Sequence, residues 1–409
     1  MKNILIIALV WPEPNSSAAG AHLLSLIKSL QPIAGKISFG CTSQPSDRSI
    51  DLNDINVEAF TIKVNDPEFD NVLAKLNPDL VIFDRYVAEE QFGWRVALNC
   101  PKAMRILNTE DLHGLRAARE LALKKNEAFD LGHYFNDVAK REVASILRSD
   151  MSLIISEFEL NWLKTVCHVP ETMLVYFPLL INTEAIETSG NLPSFDDRKG
   201  YMFIGNFRHQ PNVDAIEFLI RDIWPGIREH DNEAELYIFG AYMPKQKSSL
   251  QDEDAGIYMK GFAENLESTF QSAKICLAPL RYGAGLKGKL IDAMFYGTPF
   301  ITTSIGAEGL RLDFPKQVVD DPADFIRYSV KLYYDRELWN ESLARGLKHV
   351  KQHFEFEGHA KRLVDRILEI SDLTNHRQNH FLSAVLWHQS LQSTRYLSKW
   401  IEEKNKNKK

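Results

Sequence analysis

The sequence predicts an α/β protein built from two Rossmann-like domains in succession, facing a central cleft. Three observations carry this. Short continuous apolar runs alternate with helix-like stretches along most of the chain, the pattern of parallel strands covered on both faces. With 409 residues the chain exceeds one ordinary hydrophobic core, so two domains of about 150–200 residues are expected. The alternation also restarts after 181–200 (INTEAIETSGNLPSFDDRKG), a polar stretch with no periodicity that reads as a linker.

In the first half, strands are expected over 4–10, 37–42, 57–62, 80–84, 103–108 and 153–156, with helices over 21–30, 87–98, 112–147 and 159–166. The second half repeats the rhythm. Its strands fall over 201–207, 236–240, 257–261, 275–280, 300–303 and 318–319, and its helices over 213–229, 264–272, 286–296 and 325–334. The resulting boundaries are 1–182 for the first domain, 183–199 for the linker, 200–354 for the second domain and 355–409 for C-terminal helices and a basic tail. In open parallel sheets ligands gather beyond the C-terminal strand ends. Every loop singled out below lies there.

Composition narrows the function. A hydrophobic content of 44% with 25% charged residues is that of a soluble globular protein. A net charge of −7 argues against a general nucleic-acid binder. Cys41, Cys100, Cys167 and Cys276 are scattered, with no Cys-x-x-Cys pair. That spacing speaks against a disulfide framework and a zinc site, and it suits a reducing cytoplasm. The N-terminal run MKNILIIALVW is too short for a good signal peptide and is followed by the turn Trp11-Pro12-Glu13-Pro14, so it reads as a first buried strand. No segment reaches the length of a membrane span.

The most informative stretch is 274–310, KICLAPLRYGAGLKGKLIDAMFYGTPFITTSIGAEGL. It reads as a buried strand, a turn at Gly283-Ala284-Gly285, a helix, a Gly297-Thr298-Pro299 break, a second strand and a loop at Gly306-Ala307-Glu308-Gly309. A glycine turn entering a helix exposes backbone N–H groups to which an anion can come close. Lys287 and Lys289 fall in the expected first turn, with Asp292 one turn later. A diphosphate on the turn with a ribose beside Asp292 is a coherent reading. An ordinary αβ unit with a glycine cap fits the same pattern.

This segment resembles the donor-sugar site of family 4 retaining glycosyltransferases of the GT-B fold. That family has a glycine-rich turn, a phosphate-side lysine, a carboxylate on the next helix, a Gly-x-Pro break and a Thr-Thr strand. The carboxylate is the second half of its Glu-x7-Glu motif. Here that position is Asp292, and the first is Ala284; the branch with a Gly-Ala-Gly turn also lacks the first glutamate. The likeness runs to about residue 370 and is strongest in 274–310. It implies that Lys289, Lys287 and the amides after Gly283 and Gly285 face the diphosphate, and that Asp292 holds the ribose. Glu308, with amides near Gly306 and Ala307, would orient the sugar or diphosphate.

Other loops extend the reading. Gly205-Asn206 ends the first strand of the second domain, Asn212 or Asp214 offers a cap to the next helix, and Arg208 is the cation in that region. By resemblance, this loop adjoins the diphosphate and Phe262 marks where the base rests. In the first domain, Gly20 is expected where backbone approaches the ligand, with an N-cap at Ser16 or Ser17 as the competing account. Asn108-Thr109-Glu110-Asp111-Leu112-His113 ends a strand and opens a helix. Glu110, Asp111 and His113 are residue types for acid–base work or for binding a sugar hydroxyl, although a cap by Thr109 or Asp111 explains part of the pattern. The family keeps a polar acceptor-side group here. Arg116 and Arg119, one and two turns on, are then expected to face the cleft.

Asp252-x-Asp254 sits in a polar insertion and reads as solvated charge. His349-x3-His353 lacks the glutamate of a zincin, and Gly283 to Lys289 lacks the Ser or Thr of a P-loop. At the C-terminus, Phe381, Leu382, Val385, Leu386, Tyr396, Leu397, Trp400 and Ile401 form a broken helical stripe near KNKNKK. Packing on the protein's own body or in a homodimer is expected, with a peripheral membrane contact at the inner face as the alternative. In GT-B proteins the helix over 355–370 crosses back onto the first domain. Taken together, the resemblance implies a cytoplasmic, metal-independent, hexosyltransferase-like enzyme without a cofactor. It would use a nucleotide diphosphate sugar as substrate and an unidentified acceptor. No protein nucleophile is evident, which agrees with the front-face mechanism usually proposed for that family. A nucleotide-sugar epimerase and a catalytically silent GT-B binding protein are the rival readings.

Overall fold

A computed structural model describes residues 1–182, 192–244, 246, 250–314 and 316–406. Most of the expected linker and the last lysines of the tail lie outside the described residues. The first sheet contains β1 (Asn3–Ala8), β2 (Lys36–Cys41), β3 (Val57–Thr61), β4 (Leu80–Asp84), β5 (Met104–Asn108), β6 (Met151–Ile154) and β7 (Leu174–Tyr176), in the order β3-β2-β1-β4-β5-β6-β7. The second contains β8 (Tyr201–Ile204), β9 (Leu236–Phe239), β10 (Ile257–Gly261), β11 (Ile275–Ala278) and β12 (Phe300–Thr302), in the order β10-β9-β8-β11-β12. All their pairings are parallel.

Alternation along the strands explains why both faces are covered. In β1, Leu5 and Ile7 enter one core while Ile4, Ile6 and Ala8 enter the other. In β11, Ile275 and Leu277 face one core while Cys276 and Ala278 face the opposite one. Both sheets reverse direction of strand order at their first strand, between β1 and β4 and between β8 and β11. The crevice outside such a reversal is where open α/β sheets bind ligands. The loops after β1, β8 and β11 bear Gly20, Gly205–Arg208 and Gly283–Asp292 of the expected site, and the loops after β5, β10 and β12 bear the rest.

Several element boundaries differ from the sequence reading. The single helix expected over 112–147 is three: His113–Lys125, Leu131–Tyr134 and Asp137–Arg148. Asn126 closes the first in a left-handed conformation, Asp130 and His133 box the second, and Asn136 caps the third through the Ala139 amide. The helix over 213–229 is interrupted by a π-turn, Leu219–Ile223, before Trp224–His230. Pro225 there supplies no amide hydrogen to continue the α ladder. The strand expected at 318–319 is reduced to an isolated bridge between Val318 and Thr302.

The chain returns to the first domain where the Ile181 amide donates to Phe354 O and the Phe356 amide to Ile181 O. Helix Phe356–Glu369 then packs on Ala18–Leu30, with Leu363 and Ile367 in the first-domain core. The last helix, Phe381–Lys406, reverses the expected packing of its stripe. Its Ser398 and Glu402 point inward to Arg95, while Phe381, Leu382, Tyr396, Leu397 and Trp400 are each more than half exposed. Arg95 is 1% exposed and is paired with both Asp70 and Glu402, so the Glu402 contact anchors this face of the helix on the first domain. Among the described residues no helix is long and apolar enough to cross a membrane.

Candidate active site at the interdomain cleft

β11 delivers the chain into the turn at 283–285. Gly283 and Gly285 have φ of 153° and 65°. A Cβ at Gly285 would stand 2.7 Å from Cβ of Asp111 in the other domain, so this glycine is required by backbone conformation and by domain contact. The next helix starts at Gly288, so Lys287 is its N-cap rather than part of the first turn. The Lys287 ammonium folds back to donate to the carbonyls of Gly285 (2.7 Å) and Ala284 (3.1 Å). Burial lowers its pKa against the opposing pull of Glu308 and Glu159.

Lys289 reaches the other way. Its Nζ donates to Asn212 Oδ1 at 2.7 Å and lies 4.2 Å from the Phe203 ring centre. Burial brings its pKa down to about 7. Asn212 donates in turn to the Asn206 carbonyl, and a Cβ at Gly205 would stand 2.6 Å from Asn212. Lys289 is therefore tied to the loop after β8. Neither Asn212 nor Asp214 caps the following helix: His209 occupies the cap position, and Asp214 is paired with Arg281. Asp292 has no ion pair among the described residues, and burial pushes its carboxyl up to about 7.

The amides expected near Gly306 and Ala307 already have acceptors, Thr303 Oγ1 and Thr303 O. Glu308 is taken as well. Arg119 Nη1 and Nη2 grip its two carboxylate oxygens at 2.8 and 2.6 Å, and Nη1 also donates to Gly283 O at 2.7 Å. Arg119 thus crosses the cleft as expected, as a latch on the donor-side loop.

On the first-domain rim, Glu110 takes a left-handed conformation, φ 56°, and turns inward. Its Oε1 accepts from His22 Nδ1 at 3.0 Å and from Asn108 Nδ2 at 2.8 Å, while His22 Nε2 meets Phe177 O. Burial opposes both charges, but each raises the other's preference for the charged form. His22 is shifted up and Glu110 down, leaving an imidazolium–carboxylate pair. Asp111 is also held as the anion: burial is outweighed by Arg116, which it pairs with, and by His113 at 3.4 Å.

Neither Thr109 nor Asp111 caps the helix from His113. Glu142 accepts its first two amides, His113 and Gly114, while Glu159 Oε1 accepts Leu112 N. The same Glu159 oxygen accepts Gly285 N at 2.8 Å, so a carboxylate of this chain lies against the turn where the sequence suggested a bound anion. Burial and then Asp111 push Glu159 up to about 8, and its Oε2 has no hydrogen-bond partner. Sequence reasoning missed His22, Glu142 and Glu159, which no local motif marks. Arg85 was findable from topology: it follows β4 at the reversal, has φ 70°, and donates its amide to Asn108 O.

Further contacts close the cleft. Asn206 Nδ2 donates to Ser16 O, and Tyr242 Oη to Glu13 at 2.6 Å. Arg208 stacks on Tyr242 at 3.5 Å, and Arg48 lies over Tyr242 and Phe262 at 4.7 and 4.6 Å. Phe262 is thereby roofed by a first-domain cation. Ser17 caps the helix Ala18–Leu30, and Gly20 is demanded by the Glu13 backbone, 2.5 Å from any Cβ there. Its smallness serves the loop's own fold. Asp252 accepts the Ala255 amide in an exposed turn. Among the described residues no group of three or more His, Cys, Asp or Glu is placed to hold a metal ion.

Comparison with known proteins agrees with this fold. Residues 198–335 match the family model described as glycosyl transferases group 1. No curated protein matches the chain. Among solved structures, sucrose-phosphate synthase from Thermosynechococcus elongatus is 15% identical with a TM-score of 0.67, covering 90% of this chain and 99% of that one. HepE from Anabaena, in complex with UDP and glucose, is 10% identical with a TM-score of 0.66, covering 90% and 100%. A TarM variant from S. aureus, in complex with fondaparinux, alpha-GlcNAc-glycerol and UDP, is 15% identical with a TM-score of 0.56. The match covers 73% of this chain and 57% of that one. The fold is that of GT-B proteins, and the family match is confined to residues 198–335, in the second domain.

Proposed function

We propose that this GT-B protein is a retaining glycosyltransferase that moves a sugar from a nucleotide diphosphate donor to an acceptor such as a polysaccharide, a lipid-linked glycan or a protein. The observation that carries the reading is the pair Lys289 and Asp292 on one helix at the reversal point of the second sheet. Lys289 holds only a neutral amide oxygen, Asp292 holds nothing, and burial shifts both toward neutrality. Ionisable groups left in this condition inside a cleft suit a ligand that completes them. A diphosphate supplies the counter-charge to Lys289, and ribose hydroxyls supply donors to Asp292.

In the reaction, the bond from the sugar's anomeric carbon to the diphosphate oxygen breaks, and the acceptor oxygen bonds the same face of that carbon. The acceptor's proton passes to the leaving diphosphate. Lys289 and Lys287 stabilise the charge that develops on that leaving group, without a metal ion. Arg208, against Tyr242, adds a cation at the rim. Arg85, Asp111 and His113 face the acceptor side, whereas Glu110 positions this rim through His22. Glu308 must leave Arg119 before it meets a sugar, which couples donor entry to opening of the latch. The UDP in the complexes with HepE and TarM supports a nucleotide donor.

Thermal-shift titration with UDP, GDP, ADP, CMP and dTDP, with and without EDTA, tests the donor site, because a ligand of the folded state raises Tm. One diphosphate is expected to stabilise the protein regardless of EDTA. Lys289→Ala is expected to abolish that shift and to lower transfer about 10²–10³-fold. Stabilisation by none of them would overturn the assignment. The Arg119–Glu308 latch favours one second reading, a silent binding protein, which would bind donor with no turnover in the presence of acceptor mixtures. The exposed stripe on Phe381–Lys406 supports a peripheral membrane contact or a homodimer.

A further inference from the structure

The end of the first sheet opposite the cleft holds a cavity of about 270 Å³ beneath the C-terminal helices. Arg105, Asp150, His376, Ser383 and Trp387 line it. Arg105 is the second residue of β5, the strand whose other end carries Asn108, so the cavity is separated from the cleft by roughly 10 Å of strand. It belongs to neither substrate side of the proposed reaction.

Charge in this cavity does not balance. Arg148 is gripped by Glu89 through Nε and Nη2. Arg377 is gripped by Asp150 at 2.7 and 2.8 Å and also donates to Pro101 O and Ala103 O. Three guanidinium groups therefore share two carboxylates, and Arg105 has the loosest hold, an ion pair with Asp150 at 3.6 Å beside the closer grip of Arg377 on the same carboxylate. Arg105 is 6% exposed, and its Nε is buried without a hydrogen-bond partner. The nearest carboxylate oxygen, Asp150 Oδ2, is 3.6 Å away, beyond hydrogen-bond range. Its plane is held over the Trp387 ring at 4.0 Å, and Trp387 is itself fixed by its bond to Arg148 O. Burial lowers the Arg105 pKa to about 10, so the group is still a cation at neutral pH. The histidines do not compensate: His376 donates to Asp150 O, and His380 is engaged with His376 O and Thr172. The Ser383 hydroxyl has only the weak acceptor Met173 Sδ.

We infer that this cavity is a second ligand site, which takes the phosphate or carboxylate group of a small molecule on the Arg105 fork, with Ser383 as a further donor and the Trp387 ring as an apolar wall. A guanidinium can pair with either oxyanion in a bidentate manner. An oxyanion there would add negative charge beside a cation that Asp150 balances only at 3.6 Å.

Calorimetric titration of the full chain with inorganic phosphate, and separately with acetate, tests this at constant ionic strength held by chloride. In Lys289→Ala, which lacks the lysine proposed to hold phosphate in the cleft, saturable one-site binding of at least one of them is expected to remain. The preferred anion tells phosphate from carboxylate recognition. Arg105→Met, made in that background, keeps an apolar stem on Trp387 but removes the fork, and should weaken binding at least about tenfold. Ala384→Phe fills the cavity from the helix side while leaving Arg105 in place, and should do the same. No saturable binding of either anion in Lys289→Ala overturns the site, as does binding that survives Ala384→Phe in that background.

Discussion

On the first-domain rim of the cleft, Glu110 and Asp111 are held as anions by cationic partners, and Glu159, although shifted toward neutrality, accepts two amides through one oxygen. Glu110 has His22 and Asn108, Asp111 has Arg116, and Glu159 has two amides. On the second-domain rim, Lys289 has one neutral oxygen and Asp292 has none. The sequence presents these two clusters alike, each as charged residues just past a strand. A buried charge with a partner belongs to the folded protein's own stability, and breaking the pair is costly. A partly buried charge without one costs stability in the free protein and is favoured when ligand arrives. The same residue types therefore do different work on the two rims.

The largest test of that contrast is Glu110→Ala beside Asp292→Asn. Removing Glu110 leaves His22 buried and unpaired, so denaturant unfolding should show a loss of about 3–5 kcal/mol. Asp292→Asn removes a charge that has no partner and should cost no stability, or raise it. Equal losses would erase the distinction. Next comes Gly285→Ala, which puts a Cβ into a left-handed position and against Asp111. A loss of about 1–3 kcal/mol is expected, with weaker donor binding as the rims are pushed apart; an unchanged Tm would show that they do not meet here.

The smallest effect is a pH slope. The ammonium form of Lys289 binds a diphosphate, and its pKa in the free protein is about 7. Above that pH the free amine is neutral, so binding must take up a proton and the donor Kd should rise about tenfold per pH unit. Asp292, also near 7, accepts from ribose hydroxyls as its anion, so its ionisation acts in the opposite direction and flattens the profile below pH 7 while leaving the Lys289 slope above it. Donor titrations from pH 6.5 to 8.5 should show this slope in the wild type. A flat profile would mean that Lys289 is an ordinary, fully charged lysine.

Much of the fold was legible because its determinants are local. Strand periodicity, the polar break after 181 and the glycine turn are each written within a few neighbouring residues, and both sheets follow from them. Lys289 and Asp292 were legible for the same reason, being one turn apart on one helix. The divided helix over 112–147 and the outward stripe of the last helix were not. The first depends on Asn126 adopting a left-handed turn, and the second on the contact between Arg95 and Glu402.

The sequence by itself determined two parallel α/β domains and the glycine turn and helix that carry Lys289 and Asp292. Only the tertiary structure decided which charges are spent within the protein. His22 reaches Glu110 across 88 residues, and Glu159 reaches Gly285 across 126. Pairing at such separations depends on which strand ends the sheet order brings together, and no spacing in the sequence encodes it. Side-chain chemistry is set by residue type, whereas pKa and partner are set by the neighbours that folding supplies.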